Sequence, residues 1–221
     1  MMLALDTSSN YLSIALQTGD DILDYHQLAG QKHAEQTLPA IGRLLAEAGM
    51  SLTSLDAIVF GQGPGSFTGL RIGCGLAQGL AFSADLPLIA IPTLDAIAVQ
   101  APEGEMLVCV DARMQQVYWA HYRRQDKQLE RLSDIHLSDP HEISLPPGVD
   151  CAVGDALANY PQLLPQRAGI QILADVPPHA RAYLGLAQSG RYPRRHPREA
   201  ELLYIRNKVA LTSAEQQARK A

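Results

Sequence analysis

Two short apolar runs constrain this 221-residue chain more than any other feature. One is Met2-Leu3-Ala4-Leu5-Asp6, the other Met106-Leu107-Val108-Cys109-Val110-Asp111. Each is continuously apolar, too short for an ordinary helix and closed by an aspartate, which is the pattern of a strand covered on both faces. Behind each comes a turn-forming cluster and then a hairpin. After the first run, residues 11–17 alternate as a second strand and Gly19-Asp20-Asp21 turns the chain into residues 22–28. After the second, residues 116–122 and a charged strand at residues 129–135 repeat the arrangement. The repeat lies in pattern rather than identity.

Between these meanders the sequence predicts helices and parallel strands. A helix is expected over residues 33–48, with Ala34, Leu38, Ile41, Leu45 and Ala48 on one face, Pro39 in or near its first turn, and Gly49 ending it. A strand at residues 56–60 runs through Gly61-Gln62-Gly63-Pro64-Gly65-Ser66 into a long helix at 67–83. A strand at 86–91, a short helix at 93–100, a strand at 151–153 and a helix at 180–188 follow. Pro102-Glu103-Gly104-Glu105 is the best boundary, giving units 1–102 and 103–221. Charge supports the division. Residues 1–100 hold nine acidic and three basic side chains, and residues 101–221 hold fourteen and fifteen. Duplicated strand–strand–strand–helix units indicate an α/β fold of the actin, sugar-kinase and Hsp70 (ASKHA) architecture, with a mixed sheet in each unit and a cleft between them.

Composition excludes several classes. Hydrophobic content of 47% with 19% charged residues is that of a folded chain with a real core. Met1 to Asp6 offers no signal peptide, and no apolar run approaches a membrane span. Cys74, Cys109 and Cys151 form neither a disulfide framework nor a zinc motif, so a cytoplasmic location without membrane contact is expected. A net charge of −5 does not give the concentrated positive field that gripping nucleic acid alone requires. The one basic run, Arg191, Arg194, Arg195 and Arg198, is either solvated surface or an RNA contact.

The glycine-rich stretch at 61–69 fails every phosphate and nucleophile signature. It has no lysine for a P-loop, Thr68 stands where the dinucleotide motif needs glycine, and Pro64 stands where a nucleophile elbow needs one. Its glycines read as a sharp strand-to-helix turn. The seven histidines include no metal-binding pair. Asp6, Thr7, Ser8 and Asp111 sit where this architecture holds nucleotide phosphates, although an aspartate capping a turn explains them equally. On the long helix, Gly69, Gly73, Leu76, Ala77 and Leu80 form a small apolar face suited to a sheet. The opposite face carries Phe67, Arg71, Cys74, Gly75, Gln78 and Phe82, which suit a partner interface or a helix side under a loop.

Several of these segments resemble the TsaB (YeaZ) family. The resemblance rests on Leu5-Asp6-Thr7-Ser8, His33-Ala34-Glu35 with Leu38-Pro39, and above all Gly63-Pro64-Gly65-Ser66-Phe67-Thr68-Gly69-Leu70-Arg71. Val110-Asp111-Ala112-Arg113, Gln116-Val117-Tyr118, Gly154-Asp155-Ala156 and Tyr204-Ile205-Arg206 extend it, while Leu202 stands where the family's terminal motif usually has a proline. The resemblance implies a non-catalytic relative and partner of TsaD, which transfers threonylcarbamoyl to the adenosine beside the tRNA anticodon. It implies pairing through helices of the N-terminal unit, with TsaE joining, tRNA reached through the complex, and a homodimer when alone. It implies no cofactor of the chain's own and leaves open a nucleotide at the TsaD junction. An ATP-dependent phosphotransferase remains the alternative from the architecture, and a metalloprotease a remote one.

Overall fold

The computed structural model describes residues 1–163 and 169–205. Arg206, the last residue of the terminal motif, lies outside them. The fold is α/β with two mixed sheets, in the ASKHA architecture expected. The first sheet contains β1 (Met2–Asp6), β2 (Tyr11–Thr18), β3 (Asp21–Leu28), β4 (Ala57–Gly63) and β5 (Leu88–Pro92), joined by α1 (His33–Glu47) and α2 (Phe67–Ala84). After α3 (Thr93–Ala98), the second contains β6 (Gly104–Asp111), β7 (Val117–Gln125), β8 (Gln128–Arg131), β9 (His136–Ser138), β10 (Val149–Val153) and β11 (Gln171–Leu173), with α4 (Ala156–Asn159) before β11. Helix α5 (Ala180–Gln188) and strand β12 (Arg194–Arg195) complete the described elements.

The two sheets repeat one plan. In the first, β1 pairs antiparallel with β2 and parallel with β4, which pairs parallel with β5; in the second, β6 stands likewise to β7, β10 and β11. The two apolar runs are therefore the central strands. Alternation sends their side chains two ways: Met2 and Ala4 join a core between the sheets, while Leu3 and Leu5 face α1 and α2. Met106, Val108 and Val110 share the central core, and Leu107 and Cys109 pack on the far side with α4. Of the expected strand at 129–135 only residues 129–131 are strand, in β8; 132–135 are irregular and β9 follows at 136–138, both strands pairing with β7. Alternation did not mark the break.

The last described stretch crosses back. Helix α5 packs on β1 and β2, and β12 adds antiparallel to β5, so residues beyond 102 complete the first sheet. Tyr192 Oη donates to Asp95 Oδ2 at 2.9 Å, and Tyr122 Oη donates to Asp95 Oδ1 at 2.7 Å. One buried carboxylate thus ties α3, β7 and the segment after α5 together.

The start of α5 is held by stacked rings. His26 lies between Tyr11 (centroids 4.8 Å) and His179 (4.3 Å), and the Ser13 hydroxyl both meets His26 Nδ1 and accepts the Ala180 N–H. Asp24 accepts from Arg181 and lies 3.7 Å from His179 Nε2. Burial lowers the pKa of both histidines; at His26 the charge of His179 adds to the lowering and Asp24 opposes it, while at His179 Asp24 opposes the lowering and Arg181 adds to it. A histidine whose pKa falls on folding contributes stability that is full above its unfolded value of 6.5 and is lost as pH drops toward the folded value. The melting temperature should therefore fall by a few degrees between about pH 7.5 and about pH 5.5, and His26→Gln should flatten that slope. An unchanged slope in the variant would contradict the assignment.

Helix α1 is rotated from the expected orientation. His33, Thr37, Ala40, Ile41 and Leu44 are buried, whereas Leu38 is 47% exposed. Thr37 belongs to the buried side because its hydroxyl donates to the His33 carbonyl at 2.6 Å and leaves only its methyl to pack. Pro39 lies in the second turn rather than the first, on the exposed side.

Candidate functional site

The two segments Leu5-Asp6-Thr7-Ser8 and Gly63-Pro64-Gly65-Ser66-Phe67-Thr68-Gly69 are halves of one joint. The Ser8 carbonyl accepts the Ser66 N–H at 2.7 Å, and the Thr7 hydroxyl donates to the Gly69 carbonyl at 2.7 Å. Ser66 caps α2 by accepting from the Gly69 N–H at 3.3 Å. Three glycines make the approach possible. A Cβ at Gly65 would lie 2.7 Å from the Ser8 carbonyl oxygen, one at Gly73 would lie 2.5 Å from Thr7 Oγ1, and one at Gly69 would overlap the Thr7 carbonyl oxygen.

In that joint Asp6 and Thr7 are buried, and neither lines the cleft between the sheets. Asp6 is 1% exposed; Oδ1 accepts the Ser8 amide (3.0 Å) and hydroxyl (2.9 Å), and Oδ2 accepts Tyr183 Oη at 2.7 Å. Burial pushes the Asp6 carboxyl above its ordinary range, against the pull of these donors, Tyr183 first. Gly61 lies against the same carboxylate, where a Cβ would overlap Oδ2. Tyr183→Phe should cost about 1–3 kcal/mol of stability by stripping a donor from a buried carboxylate, measurable by denaturant titration. Sequence alone missed Tyr183, because an apolar helix position gives no sign that its hydroxyl reaches a strand 177 residues away.

A cleft of about 720 Å³ opens between the sheets. The β1–β2 turn (Ser8, Asn10), the start of α2 (Ser66, Thr68), the β6–β7 turn and Leu203 to Ile205 line it. Asp111 faces it but is bound by its own surroundings. Its carboxylate accepts the Arg113 N–H at 2.8 Å, the Arg113 guanidinium at 3.1 Å, Asn159 Nδ2 at 3.1 Å and Tyr160 Oη at 3.0 Å. Its N–H donates to Asp155 Oδ1 at 2.8 Å. Burial raises the pKa of Asp155, the Asp111 amide opposing. Of the four residues expected at phosphates, the cleft brings together Ser8 and Asp111 only. Among the described residues no group of three or more His, Cys, Asp or Glu could hold a metal ion, and no helix is long and apolar enough to cross a membrane.

Helix α2 lies on the sheet by Gly69, Leu70, Gly73, Ala77 and Ala81; Leu76 and Leu80, expected there, are only half-buried. Its outer side divides into two rows. Phe67, Arg71, Cys74, Gln78 and Phe82 form one, and residues 196–204 run along it in the opposite direction. His196 meets Phe82 edge-on at 5.7 Å, Gln78 Nε2 donates to the Pro197 carbonyl at 2.8 Å, and Leu202 packs in the core cluster that Cys74 joins. Tyr204 lies 6.3 Å from the Phe67 ring and accepts from Arg71 Nε at 3.4 Å, with the Arg71 guanidinium 3.8 Å over Phe67. Phe67 and Phe82 remain 46% and 47% exposed. The second row is open. At Gly75 and Gly79 an added Cβ would meet nothing within 4 Å, and Thr68, Gly75, Gly79 and Ser83 are exposed. Sequence periodicity gives one outer face that groups Gly75 with the first row; its alternative, a helix side under a loop, describes that row, while Thr68, Gly79 and Ser83 carried no sequence signal.

The arginines at 191–198 are all exposed but have different surroundings. Arg191 donates to the Leu129 carbonyl and Arg195 pairs with Glu199 at 3.7 Å. Arg194 and Arg195 are neighbours on β12 and point to opposite sides, while Arg198 is exposed.

A family model described as TsaD, tRNA N6-adenosine threonylcarbamoyltransferase, matches residues 26–166. The tRNA threonylcarbamoyladenosine biosynthesis protein TsaB of Haemophilus influenzae is 44% identical over 128 residues, 56% of this chain and 54% of that protein. The Escherichia coli K12 protein of the same name is 41% identical over 129 residues, 57% and 56%. The matched region thus spans about half the length of these curated relatives. Structural similarity reaches further: YeaZ from Pseudomonas aeruginosa superposes with a TM-score of 0.86 at 34% identity, over 92% of this chain and 98% of that one. A second structure, described as an uncharacterized protein with similarity to peptidase YEAZ from the same species, gives 0.86 at 33% identity over 93% and 99%. With the joint, the duplicated sheets and these likenesses in agreement, the chain belongs to the TsaB (YeaZ) family.

Proposed function

We propose that this chain is a non-catalytic partner of TsaD in threonylcarbamoyl transfer to the adenosine 3′ of the tRNA anticodon. The open row of α2 carries the reading. Two adjacent turns present Gly75 and Gly79 with nothing above them, flanked by half-exposed aromatic rings at both ends of the helix. A helix from another protein could approach such a surface closely. The names of the relatives support the pathway, and the match to the TsaD model supports the connection to that enzyme.

The cleft supports the non-catalytic part. Asp6 is sealed by Tyr183, and Asp111 is satisfied by its own hairpin and by Tyr160 and Asn159. Neither is poised to act on a substrate. A nucleotide in the cleft would lie beside the first turn of α2, at the junction with TsaD, since Ser66 and Thr68 line both. TsaE would join that assembly, tRNA would be reached through it, and a second copy of the chain would take the same α2 surface when TsaD is absent. The cleft volume is the one observation that favours the alternative, an ATP-dependent phosphotransferase.

Reconstitution separates the readings. Threonylcarbamoyl transfer to tRNA should require TsaD, should be stimulated by adding this chain, and should be undetectable with this chain alone. Transfer by the lone protein, or phosphoryl transfer from ATP to a small acceptor, would refute the proposal.

A further inference from the structure

The segment 196–204 lies on the α2 row in a way that an incoming helix would contest. It follows the helix for its whole length, from His196 at Phe82 to Tyr204 at Phe67. It is held by the Leu203 N–H, which donates to the Gln62 carbonyl at 2.9 Å, by the side chains of Gln62 and Gln78, which donate to the Glu201 and Pro197 carbonyls, by the Arg71–Tyr204 bond, and by Ala200 and Leu202 packed against the core beneath α2. Apart from the single turn at Pro197–Glu199, it has no regular structure. Pro197 is buried, but Arg198, Glu199, Glu201 and Tyr204 are exposed. The rings at both ends of the row keep nearly half their surface in water, so this cover gains only part of what full burial there would give.

Resting on the reading of α2 as the partner surface, we propose that residues 196–204 are an intramolecular cover of the Phe67–Phe82 row, displaced when TsaD takes the helix. The cover serves the free chain, which would otherwise present two phenylalanines and a cysteine beside glycines that stay open in either state. Leu203, Tyr204 and Ile205 also line the cleft, so displacement alters the cleft wall at the same moment as the helix is occupied. The equilibrium between covered and uncovered states lowers the apparent affinity for TsaD by the fraction uncovered.

Hydrogen exchange on the full chain, alone and with excess TsaD, reads both surfaces. The amides of 72–79 should gain protection in the complex, while the Leu203 amide and its neighbours lose it by about tenfold or more. Tyr204→Ala, which removes the ring from Phe67 and the acceptor from Arg71 at an exposed position, should tighten TsaD binding roughly three- to tenfold. Protection at 72–79 with unchanged or increased protection at 197–204, or a Tyr204→Ala affinity equal to or below wild type, overturns the cover alone. If 72–79 gain no protection, the α2 surface and its cover both fall.

Discussion

Gly69→Ala should destabilise the chain by about 3 kcal/mol or more, seen as a fall of about 6–12 °C in melting temperature. Helix propensity pulls the other way. Alanine inside a helix is favoured over glycine by up to about 1 kcal/mol, which would make the substitution stabilising if the site were open. It is not open: the new methyl would overlap the Thr7 carbonyl oxygen, a backbone atom in the buried joint between β1 and α2. Moving it disturbs the bond from Thr7 Oγ1 to the Gly69 carbonyl and that from Ser66 N–H to the Ser8 carbonyl. Overlap therefore wins by a wide margin. Gly79→Ala is the control, since the same change in the same helix meets nothing within 4 Å and should stabilise by about 0.5–1 kcal/mol. Equal and opposite-to-expected shifts for the pair would mean that the joint is looser than its geometry.

This contrast also shows what the sequence made legible. The period of the α2 glycines separated a packing face from an outer face, and the structure keeps Gly69, Gly73 and Ala77 on the sheet. Repetition of an apolar run, an aspartate and a hairpin was enough to find two sheets of one plan, because strand burial on both faces leaves a compositional trace. What periodicity could not reach are contacts made across long sequence separations by residues of ordinary type. Tyr183 on Asp6, Tyr192 on Asp95 and Tyr204 on Arg71 each look like plain helix or loop tyrosines. The partner of the Asp6 carboxylate escaped the sequence for the same reason, since it comes from α5. On α1, Leu38 and Thr37 exchanged their expected places because a threonine with its hydroxyl bonded to the preceding turn packs as an apolar residue.

Gly75→Glu should abolish association with TsaD, weakening it by at least about a hundredfold, and should abolish self-association to the same extent. Gly75 lies in the open row with nothing within 4 Å, so the free chain accommodates the new side chain in water. Exchange of glycine for a good helix former even favours the folded monomer, by about 0.5–1 kcal/mol. One local partner is available, because Arg71 precedes position 75 by one turn. An exposed pair at that spacing contributes about 0.3–0.5 kcal/mol, and the Arg71 guanidinium is already over Phe67 and bonded to Tyr204. At an interface the balance reverses. The carboxylate would be taken out of water against a helix fitted to a glycine, and an unpaired buried charge costs several kcal/mol, far beyond what Arg71 returns. Gly75→Lys tests the same site without the Arg71 pairing and should behave alike, whereas Gly75→Ala adds one methyl and should cost much less. The measurements are sedimentation of the variants alone and titration against TsaD, after circular dichroism has shown each to be folded. On the proposal that TsaD and a second copy compete for one surface, both affinities fall together. Wild-type affinity of Gly75→Glu for either partner would place that partner's interface elsewhere on the chain.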